Sequence, residues 1–218
     1  MIFVDTHNFV PLFINVKDLK VLIIGGGKVG TKRALSFADH GSNITVVSLS
    51  FSEDLVDSKD KITLIKEDAK NLNADFLSKF DIIVTATNDK ELNNKLCELA
   101  KNQRKLCNNP TNPEDSNFIV PIYYSDDKLS IAITTFGKSS LTSKYILELI
   151  QEEILKKDIY ELVTAMGNVK DLLKHNIKDP SQRFSYYSKI FNDEIFRNYI
   201  KEGKLELALD RAKVIINE

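Results

Sequence analysis

Residues 20–48, KVLIIGGGKVGTKRALSFADHGSNITVVS, constrain the fold more than any other part of the chain. KVLII (20–24) is a short apolar run closed by glycines and reads as a strand. KVGTKRALSFADH (28–40) sets Val29, Ala34, Leu35 and Ala38 near helical spacing; His40 is a helix-end residue, and Gly41 stops the helix as a C-cap. ITVVS (44–48) is a second strand, so a whole β-α-β unit fits in about 30 residues. Such a unit needs a parallel sheet covered on both faces.

The turn inside that unit places Gly25, Gly27 and Gly30 in G-x-G-x-x-G register, directly after a strand and at the mouth of a helix. The first glycine allows the tight turn, the second lets a pyrophosphate approach the backbone, and the third lets helix and strand pack closely. Unpaired N–H groups at the helix start then face the phosphates. The pattern predicts a dinucleotide; the bland alternative is a structural glycine turn. About 20 residues on, where an acidic side chain would hold ribose hydroxyls, the chain reads Val47-Ser48-Leu49-Ser50, and Glu53 and Asp54 come too late. No Lys or Arg lies between Ala34 and Ser58 to clamp a 2′-phosphate, which favours NAD over NADP.

ITLIK (62–66), DIIVTAT (81–87) and KLCN (105–108) continue the alternation, with helical stretches around 71–79 and 90–102. Five strands alternating with helices predict a Rossmann-like α/β sheet. The pattern then changes: FIVPIYYS (118–125) and LSIAITT (129–135) are joined by three residues and read as an antiparallel hairpin, with Pro121 inside an edge strand. From Ser139 the chain is helical, with segments from Ile146 and over about 158–175, 180–192, 193–201 and 204–216.

The 218 residues are 43% hydrophobic and 28% charged, enough for one domain and a smaller appendage. With 30 Lys+Arg against 31 Asp+Glu, no basic field suggests nucleic acid. Asp5, His7 and Asn8 interrupt the apolar opening, which therefore does not read as a signal peptide, and no apolar run is long enough for a membrane span. Cys97 and Cys107 match no metal-ligand spacing; read as free thiols, they suit a reducing cytoplasm. His7, His40 and His175 are too scattered to propose a metal site.

Taken together, VPLFINVKDLKVLIIGGGKVGTKRA, TATND (85–89), LCN with its following loop and NFIVP (106–121), LSIAITT, and SQRFSYYSKIF with the last helices resemble the NAD-dependent precorrin-2 dehydrogenase and sirohydrochlorin ferrochelatase module of siroheme synthases. The resemblance covers nearly the whole chain. It implies a homodimer with a nucleotide-binding domain at 1–115, a dimerisation segment of hairpin and hinge helix at 116–150, and a helical domain at 151–218 that covers a tetrapyrrole. It also implies loss of a hydride from precorrin-2 to NAD, plus a proton, giving sirohydrochlorin; some members then insert ferrous iron.

The nucleotide contacts fall on Gly25, Gly27, Lys28, Val29, Gly30, Ser48, Leu49 and Ser50, with Thr87, Asn88 and Asp89 lining the same cleft. Asn88 or Asp89 is also a natural helix cap. In the family an aspartate four residues after the cysteine of CNNPTNPEDSNFIVP carries the chemistry; here that position is Thr111, which cannot act as a base near neutral pH. Glu114 and Asp115 are the substitutes to hand, or else solvated turn residues. Asn108, Asn109, Thr111 and Asn112 are placed to orient substrate, or simply to form the turn. At TTFGKSS (134–140), Phe136 and Ser140 replace a glycine and a proline of the family pattern, while Gly137 and Ser139 remain.

A substrate with eight carboxylates needs cations, for which Lys138, Lys144, Lys174, His175, Lys178, Arg183 and Lys189 are candidates, interleaved with Tyr186 and Tyr187. Two rival readings remain: a tetrapyrrole-binding chelatase or impaired homologue, motivated by Thr111, and a non-enzymatic NAD-sensing regulatory module.

Overall fold

The computed structural model describes residues 8–217, which divide into two compact units. The first holds the described residues up to Val120 together with Phe136–Lys138; the second holds Pro121–Thr135 and the described residues from Ser139 onward.

The first unit is built on five parallel strands, β1 (Lys20–Ile24), β2 (Asn43–Ser48), β3 (Ile62–Lys66), β4 (Ile82–Thr85) and β5 (Leu106–Asn108), in the order β3-β2-β1-β4-β5. Helices α1 (Lys28–Asp39), α2 (Glu53–Asp57), α3 (Ala74–Leu77) and α4 (Lys90–Asn102) connect them. Val21 to Ile24 are fully buried because β1 is central and both its faces are covered. One face packs Leu22, Ile24, Val47, Ile83 and Cys107 against Leu96, Cys97 and Ala100 of α4. The other packs Val21, Ile23, Val46 and Val84 with Ala34 of α1 and Leu55 of α2. Strand order reverses between β1 and β4, and the crevice outside the carboxyl ends of strands at that switch point is where such sheets bind ligands.

The sequence reading needs four corrections. The cysteines are not free: Cys97 and Cys107 form a disulfide, because α4 packs on β5 and brings their Cα atoms to 5.6 Å. The helical stretch near 71–79 is a short 3₁₀ turn, Ala69–Asn71, followed by α3, each capped by its own Asp68 or Asn73 side chain. A helix not anticipated, α2, starts behind Ser52, whose hydroxyl accepts from the Leu55 N–H. Pro121 does not lie within a strand, for β6 spans only Ile122–Ser125 and pairs with β7, Ser130–Ile133; lacking an N–H, Pro121 precedes the ladder. Asp5 and His7 lie outside the described residues.

The second unit combines that hairpin with α5 (Ser140–Leu149), a π turn at Ile150–Ile154, and α6 (Lys157–Asn176), α7 (Pro180–Phe191), α8 (Glu194–Lys201) and α9 (Leu205–Asn217). Ala165, Met166, Val169, Leu173, Ile190, Phe196, Ile200, Ala208, Ala212 and Ile215 make its core. Each fully buried Leu, Ile or Phe there contributes about 1.5–3 kcal/mol of transfer free energy. Pro180 occupies the first turn of α7, where no N–H is needed, behind an Asp179 cap. Among the described residues, no helix is long and apolar enough to cross a membrane.

Candidate active site

The glycine turn has the shape its spacing predicts, with a difference in which glycines are tight. Gly25 has φ +116° and leaves no room for a Cβ against the Ala86 carbonyl; a Cβ on Gly30 would run into the Gly25 carbonyl. Gly26, which the spacing did not single out, is packed on the Ser50 carbonyl, whereas a Cβ on Gly27 would meet nothing within 4 Å. That open space lies at the N-cap of α1, where no side chain caps the helix and its first turn carries no acid. The unpaired N–H groups and the positive end of the helix thus face a site shaped for phosphate. Lys28 and Val29 stand exposed beside it. Beyond β2, Ser48 is half-buried with its hydroxyl 3.4 Å from the Ser50 N–H, and Leu49 is 63% exposed. Thr31, also missed, locks this side: its hydroxyl meets the Gly26 carbonyl and, at 2.8 Å, the Ser52 hydroxyl.

The carboxyl ends of β4 and β5 are joined by an amide and hydroxyl network. Asn93, fully buried on α4, accepts at Oδ1 from the Thr87 N–H (3.1 Å) and hydroxyl (2.7 Å). Its Nδ2 donates to the Thr87 carbonyl (3.0 Å) and to the Thr111 hydroxyl (3.3 Å). Asn109, also fully buried, accepts at Oδ1 from the Thr111 N–H, the Thr111 hydroxyl (2.7 Å) and the Asn112 N–H, an Asx turn that shapes the loop. Thr111 is therefore exposed to solvent yet has its hydroxyl engaged on both sides. Asp89, not Asn88, caps α4, accepting from the Leu92 N–H; Asn88 is exposed.

The two loop carboxylates differ. Glu114 is exposed, whereas Asp115 is half-buried, with Oδ2 2.8 Å from Asn112 Nδ2 and 2.9 Å from the Asn94 amide when its nitrogen is turned to the carboxylate. Neither Asn93 nor Asn94 was singled out in the sequence, since both read as ordinary helix positions. Asn108 is buried at the end of β5, its Nδ2 donating to the Phe118 carbonyl. An added Cβ at Gly137 would stand 3.8 Å from Pro113, so Phe136–Lys138 runs alongside this loop with Lys138 exposed. Phe136 has φ +52°, a conformation that suits glycine, and its ring meets Phe9 at 6.2 Å.

The remaining candidates belong to the second unit. Ser139 caps α5, accepting from the Thr142 N–H, and Arg183 donates from Nη1 to the Ile177 and Lys178 carbonyls. Lys144 pairs with Glu148 and Lys174 with Asp171, exposed pairs that cost little to exchange for a ligand. His175 Nδ1 lies 2.8 Å from the Asp171 carbonyl, and Tyr186 and Tyr187 pack on the helical core. Among the described residues, no group of three or more His, Cys, Asp or Glu is placed to hold a metal ion.

A glycine turn at a bare helix N-terminus, a parallel sheet of order 3-2-1-4-5 and a polar network across its carboxyl edge define a Rossmann-like NAD(P)-binding protein. Residues 12–122 match a family model described as "Putative NAD(P)-binding". The chain is 32% identical over 199 residues to a protein of Methanocaldococcus jannaschii named "Putative precorrin-2 dehydrogenase", covering 88% of this chain and 94% of that one. It belongs to the precorrin-2 dehydrogenase family. A solved structure titled "SirC, precorrin-2 dehydrogenase" shares the fold, with a TM-score of 0.71 at 24% identity over 94% of this chain and 99% of that one. Siroheme synthase 1 of Aeromonas hydrophila matches 97% of this chain at 25% identity, but the chain spans only 45% of that protein.

Proposed function

We propose that the chain catalyses NAD-dependent dehydrogenation of precorrin-2 to sirohydrochlorin, with Asp115 as the proton acceptor. The observation that carries the reading is Asp115: a half-buried carboxylate turned back onto α4, in the loop that leaves the carboxyl end of β5. With Thr111 at the family acid position, Asp115 is the half-buried carboxylate that the same loop offers in its place.

Gly25, Gly27 and Gly30 with Lys28 and Val29 hold the pyrophosphate, Ser48, Leu49 and Ser50 the adenosine end, and Thr87 and Asn88 the nicotinamide end. NAD supplies a hydride acceptor there, so two hydrogens leave precorrin-2, one as hydride and one as a proton. The chain's own work is placement and proton removal. Asn94 and Asn112 donate to one oxygen of the Asp115 carboxylate, which fixes its orientation and leaves its second oxygen to meet the proton. Lys138, exposed beside the loop, offers a cation to a substrate carboxylate, and Asn112 a further polar contact. Leu141, Tyr145, Ile146 and Leu149 expose an apolar face on α5, which supports a homodimer in which a second copy covers it.

Thr111 favours a second reading, a protein that binds the tetrapyrrole without oxidising it. One assay separates the two: anaerobic incubation with precorrin-2 and NAD is expected to give one NADH per sirohydrochlorin. Tetrapyrrole binding with no NADH would instead support the second reading.

A further inference from the structure

We propose that Asn108 reads the carboxamide of the nicotinamide ring, its side-chain carbonyl accepting one carboxamide N–H. The inference rests on the NAD-dependent reading above and assigns it a specificity residue. Asn108 is the last residue of β5 and pairs in register with Val84, so it lies at the carboxyl edge of the β4–β5 half of the sheet. A dinucleotide that sets its pyrophosphate on α1 and crosses the switch point brings its second nucleotide to that half.

The side chain is 7% exposed, and its two polar ends have different fates. Nδ2 donates to the Phe118 carbonyl at 3.2 Å, whereas Oδ1 is buried with no hydrogen-bond partner among the described residues. That pairing fixes the orientation, because turning the amide over would set two carbonyl oxygens against each other. Oδ1 is thus a fixed acceptor, and a buried acceptor needs a donor from water or from a ligand. Among the described residues two other buried side-chain oxygens lack partners, and neither fits the role as well. Gln103 Oε1 lies just past the carboxyl end of α4, where the same amide binds the Ala74 carbonyl. Thr85 Oγ1 sits on a rotatable hydroxyl, one residue beyond Val84 and so on the opposite sheet face. Of these three oxygens, that of Asn108 combines a fixed direction with the strand edge.

The test compares the binding of NAD and of its acetylpyridine analogue, which keeps the ring carbonyl but replaces the carboxamide NH₂ with a methyl group, by isothermal titration calorimetry. Wild type is expected to bind NAD about tenfold more tightly. Asn108→Val should bind both within about twofold. Equal binding of the two nucleotides by wild type overturns the inference and needs no variant to fold. A preference that survives Asn108→Val also overturns it, as water would then satisfy Oδ1. If wild type binds neither nucleotide, the NAD-dependent reading falls together with the inference.

Discussion

At Asn93 a single buried amide joins two loops that leave different strands, with three contacts to Thr87 and one to Thr111. Replacing it by alanine strands the Thr87 N–H and carbonyl in a buried setting. Asn93→Ala is therefore expected to lower stability by about 1–3 kcal/mol in denaturant unfolding and to raise KM for both NAD and tetrapyrrole. Thr111→Val removes one arm only and should raise the tetrapyrrole KM alone, so a shared rise in Thr111→Val would refute this division. The glycines were legible in the sequence because their requirement is local: three positions within six residues after a strand. Asn93 and Asn94 were not, because their loop partners lie 6 to 21 residues away and both read as ordinary helix positions. The sequence showed that the family acid was gone; only the structure showed the Thr111 hydroxyl already engaged.

Elements were mostly legible from periodicity, and the exceptions have physical causes. The β6–β7 hairpin is shorter than its apolar run because Pro121 cannot donate to the ladder. The Cys97–Cys107 link was hidden, since ten residues of separation do not say whether a helix and a strand will pack. By the loop-entropy argument this link is worth about 2–3 kcal/mol. Thermal unfolding in the presence of a phosphine reductant, with mass spectrometry to confirm two added hydrogens, should show a lowered Tm; an unchanged Tm would contradict it. In the helical unit, Asp193 caps α8 and takes a hydrogen bond from Arg211 at 2.7 Å, which holds its carboxyl below the usual carboxylate range. The resulting stabilisation is complete above the unfolded aspartate pKa of about 3.9 and fades as pH falls through the lower folded value. Asp193→Asn keeps the cap but loses the ion pair. It should be less stable than wild type at neutral pH, with the gap closing below about pH 4 in urea titrations.

At the scale of the whole molecule, the first unit contains both the nucleotide turn and the loop bearing Asp115, while the second carries the hairpin, the apolar face of α5 and the helical core. The five-stranded parallel sheet followed from the sequence because strand–helix alternation is a long-range regularity, and the family from the segments that resemble it, whereas the strand order came from the structure. Which of Glu114 and Asp115 turns inward did not follow from the sequence, since that depends on how the loop folds back onto α4. We propose that this chain oxidises precorrin-2 with Asp115 in place of the family acid. The measurement that tests it most directly is the anaerobic rate of NADH formation from precorrin-2 by wild type and Asp115→Asn, each at saturating NAD. The account predicts turnover by wild type and a loss of about 10²–10⁴-fold in kcat for the variant, with the affinity for NAD unchanged. Equal rates in the two proteins, or no turnover in wild type, would contradict it.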